Sequence, residues 1–127
     1  MKVMPMKMLF RSTLLCLALA VPASAEQWIS LGGTLGSEMD ASSVTRSDDV
    51  VYLRMRHKVQ NEQGILTMEL DLAVYCGRSF YYIQSGQTSS SWSPRIVPMP
   101  DMADDARTFR LPTQNPAYNN MYDFVCA

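Results

Sequence analysis

The stretch that decides the fold comprises two alternating runs, VYLRMRHKV at residues 51–59 and LTMELDLAVYC at residues 66–76. In both runs apolar side chains occupy every second position, and polar or charged side chains fill most positions between them. This period of two is typical of a β-strand that buries one face. The segment NEQG at residues 61–64 supplies turn-forming residues between the runs. The sequence therefore predicts an antiparallel hairpin.

The register of this hairpin follows from the same pattern. With the turn at residues 61–64, opposite residues have numbers that sum to 125. A shift of one residue would place apolar side chains beside charged ones along the whole hairpin, so this register is strongly specified. The predicted opposite pairs are Leu53–Leu72, Met55–Leu70 and Val59–Leu66 on the core side, and Arg54–Asp71 and Arg56–Glu69 on the polar side.

Shorter signals flank the hairpin. Strand-like runs precede it at residues 27–31 and 35–40, and another follows at residues 79–84. Apolar residues at helical spacing predict a short C-terminal helix over residues 118–126. The predicted fold class is therefore α+β: a small twisted antiparallel sheet of about five to six strands, with a C-terminal helix.

The sequence between the last predicted strand and this helix is rich in small polar residues and proline. Residues 86–93 are predicted to form a polar loop that contains Trp92. Five prolines make residues 92–119 poor in regular structure, although a short helix can form around residues 102–107.

The first 25 residues have the pattern of a secretory signal peptide. Lys2, Lys7 and Arg11 supply the positive end, residues 14–21 form a short apolar core, and small residues precede a cleavage site after Ala25. The apolar core is far shorter than the roughly 20 residues that span a bilayer. Leu15 stands before Cys16 where lipid attachment requires a small residue, so no lipoprotein is predicted. The mature domain comprises residues 26–127, and its predicted location is the periplasm, the cell surface or the medium.

The charge of this mature domain excludes some classes of partner. Removal of the signal leaves 8 of the 11 basic residues against 12 acidic ones, a net charge of −4. A nucleic-acid-binding protein needs a basic surface that neutralises phosphates, so that class is disfavoured. The same charge disfavours electrostatic binding to a membrane.

Two cysteines, Cys76 and Cys126, remain after cleavage. In an exported chain an even pair predicts one disulfide. The bridge would close a loop of about 50 residues, worth on the order of 4 kcal/mol in the chain-entropy model. Two free thiols or a metal pair are the alternative, which the lack of neighbouring histidine and cysteine residues disfavours.

No set of residues predicts catalysis. His57 is the single histidine, and strand alternation points it inward, where a histidine is ordinarily satisfied by one hydrogen bond. Asp104 and Asp105 are interpreted as solvated residues of a loop, and Asp48 and Asp49 as turn residues before a strand. The sequence has no Gly-x-Ser-x-Gly or His-Glu-x-x-His motif and no glycine-rich phosphate loop. No enzyme activity and no cofactor are predicted.

Methionine is a potential Cu(I) ligand, and six methionines lie in the mature domain. Met55 and Met68 occupy core-facing strand positions, so core packing is the preferred interpretation. A metal-binding periplasmic protein that uses His57 and methionines remains an alternative. The six are Met39, Met55, Met68, Met99, Met102 and Met121.

Aromatic residues point instead to contact with a protein. Strand alternation places Tyr52, Tyr75 and Tyr81 opposite the core residues, and Trp92 lies in the serine-rich loop. Exposed aromatic residues near arginine are typical of protein interfaces, although the helix or the proline-rich segment could cover them. The candidate binding residues are Tyr52, Arg54, Arg56 and Trp92.

The order of landmarks along the mature chain resembles the surface-adhesin protein E family of exported bacterial proteins. The resemblance spans nearly the whole mature chain, apart from an insertion at residues 99–119. Its landmarks are Trp28, the element Asp40-Ala41-Ser42-Ser43-Val44, the strand with Arg54, Arg56 and Lys58, Tyr75-Cys76, Phe80-Tyr81, the segment Trp92-Ser93-Pro94-Arg95-Ile96-Val97-Pro98, and Val125-Cys126.

The resemblance implies a small antiparallel sheet with a C-terminal helix that a disulfide ties to the sheet. It also implies adhesion, because the type member is displayed on the bacterial surface and binds host matrix and serum proteins. The expected function is therefore an exported, non-catalytic domain that binds a host matrix protein or a bacterial envelope protein. The alternative is a periplasmic envelope protein or inhibitor, for instance of lysozyme.

Overall fold

A computed structural model describes residues 25–33 and 36–127. The predicted export signal, apart from Ala25, lies outside the described residues, as does Leu35 at the start of the second predicted strand. A 3₁₀ helix at Asp104–Arg107 precedes the seventh strand. The other elements are β1 (Trp28–Gly32), β2 (Ser37–Ser47), β3 (Val50–Asn61), β4 (Gly64–Tyr75), β5 (Phe80–Ser90), β6 (Ser93–Pro98), β7 (Thr108–Arg110) and α1 (Pro116–Cys126).

Each strand from β1 to β6 pairs with the next one in the chain, always antiparallel. Strand β7 pairs with the first three residues of β5, while β6 pairs with its last four. Both therefore lie along the same edge of the sheet. The prediction of an α+β fold with an antiparallel sheet and a C-terminal helix is confirmed.

The predicted register of the central hairpin is also confirmed, pair by pair from Val50–Tyr75 to Asn61–Gly64. At its turn the Asn61 side chain accepts hydrogen bonds from the backbone N–H groups of Gln63 and Gly64, at 2.8 and 3.1 Å. Gly64 has φ of 142°, and any side chain there would collide with Ser91 Oγ. The turn thus requires glycine at this position.

Two side-chain details of this hairpin go beyond the confirmed register. Arg54 does bind Asp71, but Arg56 bonds with Glu38 of β2 rather than with its cross-strand neighbour Glu69. Val59 and Met68 face the core side, yet they remain 40% and 38% exposed, because β3 and β4 extend beyond the packed core.

The predictions for the proline-rich part need correction as well. Residues 86–90, expected in a polar loop, continue β5, because pairing with β4 supplies the backbone partners that their composition does not indicate. Residues 93–98 form β6 despite Pro94 and Pro98, which an edge strand tolerates because one side of its backbone needs no donor. The predicted insertion at residues 99–119 contributes β7 and the 3₁₀ helix, the latter within the range where a short helix was predicted.

The core lies between one face of the sheet and α1. The helix buries Ala117, Met121 and Val125, which are four residues apart and form one stripe along it. Asn115 caps its first turn through a 3.0 Å bond from Ala117 N–H, and Pro116 occupies its start. The sheet contributes Leu31, Met39, Val51, Leu53, Met55, Leu70, Leu72, Val74 and Tyr81.

The predicted disulfide between Cys76 and Cys126 is present, with 5.4 Å between the two Cα atoms. Cys76 directly follows β4, and Cys126 is the last residue of α1. Tyr122 of the same helix donates a hydrogen bond to the Cys76 carbonyl. The bridge and this bond together tie the end of the helix to the sheet.

Candidate binding surface

The face of the sheet opposite α1 is called the outer face here. It carries charged and aromatic side chains that alternate along each strand with the core residues. Its central residues are Trp28, Glu38, Asp40, Tyr52, Arg54, Arg56, Glu69, Asp71, Ala73, Tyr75, Phe80 and Tyr82.

Arg56 is the most constrained cation of the outer face. Its Nε lies 2.7 Å from Glu38 Oε1, and its guanidinium carbon lies 3.8 Å from the centre of the Trp28 ring. Lys58 Nζ lies 3.7 Å from the same Glu38 oxygen. The Trp28 indole N–H donates to Glu26 at 3.1 Å. The guanidinium is therefore stacked on an aromatic ring and fixed in direction by a carboxylate.

Arg54 lies two residues away on the same strand and has its own carboxylate. Its Nε is 3.1 Å from Asp71 Oδ1, and the other Asp71 oxygen accepts a 2.9 Å bond from Ser85. The bond to Asp71 and the charge of that carboxylate raise the pKa of Arg54. Two shallow depressions of about 280 and 310 Å³ adjoin this group and share Arg54, Asp71 and Ser85.

Asp40 shapes the neighbouring strand rather than the surface. It is buried, and its Oδ1 accepts hydrogen bonds from Gln27 N–H, Ser42 N–H and Ser42 Oγ at 2.9, 3.0 and 2.6 Å. Burial alone would raise the pKa of Asp40, but the bonds from Ser42 and Gln27 outweigh it and lower the pKa. Ser43 Oγ accepts from Arg54 N–H at 2.8 Å, at an irregularity in the β2–β3 ladder. The Asp-Ala-Ser-Ser element therefore holds β1 and β3 against β2.

The structure brings together three of the four predicted binding residues. Tyr52, Arg54 and Arg56 occupy alternate positions of β3 on the outer face, all partly exposed. Trp92 is 40% exposed but lies in the β5–β6 turn beside Gly64, at the end of the hairpin. It belongs to a different part of the molecule.

The prediction that Tyr81 lies opposite the core is wrong. Tyr81 is 4% exposed and stacks on Tyr118 of α1 and Phe109 of β7, with ring centres 4.7 and 5.2 Å apart. The register pairs it with Val74, a core residue, and this pairing determines the face. Tyr75 is on the outer face, as predicted, and stacks on Phe80.

Trp28 also belongs to this surface, although it is not among the predicted binding residues. Pairing of Trp28 with Asp40 places its side chain on the outer face. Alternation with Ile29, which packs against the core, is the signal that could have found it.

His57 is buried, at 2% exposure, and makes two hydrogen bonds rather than the single one expected. Its Nδ1 lies 2.7 Å from Ser37 Oγ of β2, and its Nε2 lies 2.9 Å from Tyr118 OH of α1. Desolvation lowers the pKa of His57, so the imidazole is neutral at pH 7. Among the described residues no carboxylate bonds to the ring, and the two hydrogen bonds join strands β2 and β3 to the helix. The arrangement serves packing between the sheet and α1.

A pH-dependent loss of stability is expected from His57. The unfolded chain binds a proton near the ordinary pKa of 6.5, whereas the folded chain resists protonation. Neutral His57 therefore contributes its full stabilisation of the fold above pH 6.5, and this contribution is lost as the pH falls below that value. Urea unfolding of the wild type should show a falling free energy of unfolding between pH 7 and about pH 5.5. His57→Gln should remove this slope; an equal slope in both proteins would contradict the assignment.

The two pairs of adjacent aspartates, Asp48-Asp49 and Asp104-Asp105, lie in a turn and in the 3₁₀ helix, respectively. Asp48 has φ of 59° in the turn between β2 and β3, which confirms the prediction of turn chemistry there. Asp104 accepts a 2.8 Å bond from Tyr82 OH.

Within residues 25–33 and 36–127, no three His, Cys, Asp or Glu side chains are grouped so that they could hold a metal ion. The helices in this part of the chain are too short or too polar to cross a membrane.

Comparison with known proteins gives no relative: no family model, no curated protein and no solved structure matches the chain.

Proposed function

We propose that this chain is an exported, non-catalytic domain that binds another protein through the outer face of its sheet. The observation that carries the proposal is the stacked group of Trp28, Arg56 and Glu38 beside Tyr52 and Arg54. Tryptophan, tyrosine and arginine are the residues that contribute most often to binding energy at protein interfaces.

The rigidity of this group supports binding. Each arginine is already held by a carboxylate, at 2.7 and 3.1 Å, so little side-chain entropy remains to be lost when a partner docks. Trp28 offers a ring that is partly exposed and braced by Arg56. A pre-organised aromatic and arginine surface of this kind favours a protein partner over a small molecule, since the adjoining depressions are shallow and polar.

Export is supported by the signal pattern of residues 1–25 and by the disulfide, which is stable in an oxidising compartment. The partner is a host matrix or serum protein, or a protein of the bacterial envelope, in line with the resemblance to surface-adhesin protein E.

Trp28→Ala is expected to weaken partner binding by about thirtyfold, the effect of losing roughly 2 kcal/mol at an interface hot spot. Mature protein purified from the periplasm is immobilised and used to capture proteins from envelope extracts and from matrix and serum preparations. The affinity of each captured protein is then measured with both variants. Trp92→Ala is the matched control, because it removes an exposed tryptophan outside the outer face.

Retention of full affinity by Trp28→Ala, or a larger loss with Trp92→Ala, would contradict the proposed surface. The absence of any captured protein above a reduced and denatured control would contradict the function itself. The same preparation tests export, because N-terminal sequencing should find Glu26 as the first residue.

A further inference from the structure

A second feature of the outer face lies near the turn that joins β4 to β5. A depression of about 310 Å³ is lined by Arg78, Phe80, Thr108 and Arg110, and is called the arginine pocket here. Phe80 of β5 is directly opposite Arg110 of β7, and Arg78 precedes β5 by two residues. Pairing of β7 with β5 therefore creates the pocket, since it brings together residues about 30 positions apart in the sequence.

The charge of the arginine pocket is not neutralised within the described part of the chain. Arg78 and Arg110 are both exposed, and neither lies within 4.0 Å of a described carboxylate oxygen. The ion pairs of the described residues involve Arg54, Arg56 and Lys58, on other parts of the outer face. The whole chain has more acidic than basic residues. A depression lined by two arginines that pair with no described carboxylate is therefore a local concentration of positive charge.

The pocket also has an apolar wall, which Phe80 supplies. The Phe80 ring stacks on Tyr75 with centres 4.4 Å apart and planes 18° apart, so its position is fixed. Thr108 Oγ1 already donates to the Asp104 carbonyl at 2.8 Å. The free donors of the site are therefore the two guanidinium groups, whose planar forks match the geometry of carboxylates.

We propose that the arginine pocket binds carboxylate side chains of an acidic segment of the partner protein. This inference rests on the proposed function and names the chemistry that the partner supplies at one part of the interface. Two arginines that line one depression with a fixed phenylalanine fit a segment that carries glutamate or aspartate on an aliphatic stem, because the charge and the stem are then both contacted.

The test uses a short fluorescein-labelled peptide of glutamate residues as the probe, with a serine peptide of equal length as its control. Arg78→Gln combined with Arg110→Gln removes the pocket charges. Arg46→Gln combined with Arg95→Gln is the matched control, because it removes the same charge from two exposed arginines outside the pocket. All four positions are exposed, so both variants should fold.

Fluorescence anisotropy at low salt should show that wild type and the control variant bind the glutamate peptide equally, while the pocket variant binds about tenfold more weakly. Added salt should weaken binding, since the charges are exposed. Equal losses in both variants would show attraction by net charge alone and would overturn the proposal. Displacement of the peptide by inorganic phosphate at lower concentration than by unlabelled peptide would overturn it in favour of a small-anion site.

Failure of this inference can be told apart from failure of the proposed function. If a captured partner is weakened by Trp28→Ala but not by the pocket variant, the function stands and the acidic-segment proposal falls. If the glutamate peptide distinguishes the two arginine variants but no partner protein is captured, the pocket chemistry stands and the proposed function falls.

Discussion

Replacement of Cys76 and Cys126 together by alanine is expected to lower the free energy of unfolding by about 4 kcal/mol. The bridge joins residues 50 positions apart, and its loss restores the conformational freedom of that segment in the unfolded chain. For a domain of this size the melting temperature should fall by roughly 15–30 °C. Differential scanning calorimetry of the purified proteins measures both quantities.

A reductant provides the control for the disulfide prediction. Reduced wild type should melt near the temperature of the double variant, and the double variant should not respond to reductant. An unchanged melting temperature after loss of the bridge would show that the core and the Tyr122 bond to Cys76 hold α1 without it. The prediction would then be wrong.

Met121→Ala is expected to cost about 2–5 kcal/mol of folding free energy, the range for truncating a large buried side chain. Met121 is fully buried in the stripe with which α1 packs on the sheet. Its truncation leaves a cavity at the centre of that contact. Urea denaturation measures the loss through the midpoint and slope of the transition.

The same helix supplies the control for this prediction. Phe124 is 57% exposed, so Phe124→Ala removes an even larger side chain from the surface and should change stability by no more than about 0.5 kcal/mol. Equal effects of the two substitutions would contradict the packing of α1. A large loss with Met121→Ala alone confirms that this face of the helix is buried.

The central hairpin could be predicted in detail because both of its faces carry a pattern. Apolar pairs such as Leu53–Leu72 and the opposite charges of Arg54 and Asp71 all specify one register, and the structure has that register. Strand β6 and the second half of β5 carry no such pattern. Their serine, threonine and proline residues are typical of loops, and only pairing within the sheet makes them strands.

The candidate binding surface could be predicted in part for the same reason. Alternation along β3 correctly places Tyr52, Arg54 and Arg56 on one face. Trp28 and Glu38 join them through pairing between strands, which the pattern within one strand does not specify. The arginine pocket depends on the pairing of β7 with β5, and nothing in the local sequence indicates this contact.

The core contacts of His57 and Tyr81 show the limit of arguments from single strands. His57 was expected inward, but its partners Ser37 and Tyr118 lie 20 and 61 residues away in the sequence. The prediction for the face of Tyr81 is wrong because the pattern within residues 79–84 does not specify how β5 pairs with β4, and pairing with Val74 determines that face. Long-range packing determined both environments.

The position of α1 in the chain has a consequence for biosynthesis. The helix follows every described strand, yet it packs against β1 and β2, and Asn120 donates a 2.7 Å bond to the Leu31 carbonyl of β1. Translation proceeds from the N-terminus, so the strands of the sheet are synthesised before the helix that covers them. For that interval its apolar face is open to chaperones and to misassociation. Closure of the domain is therefore a late event, completed when the segment that ends at Cys126 arrives and is oxidised.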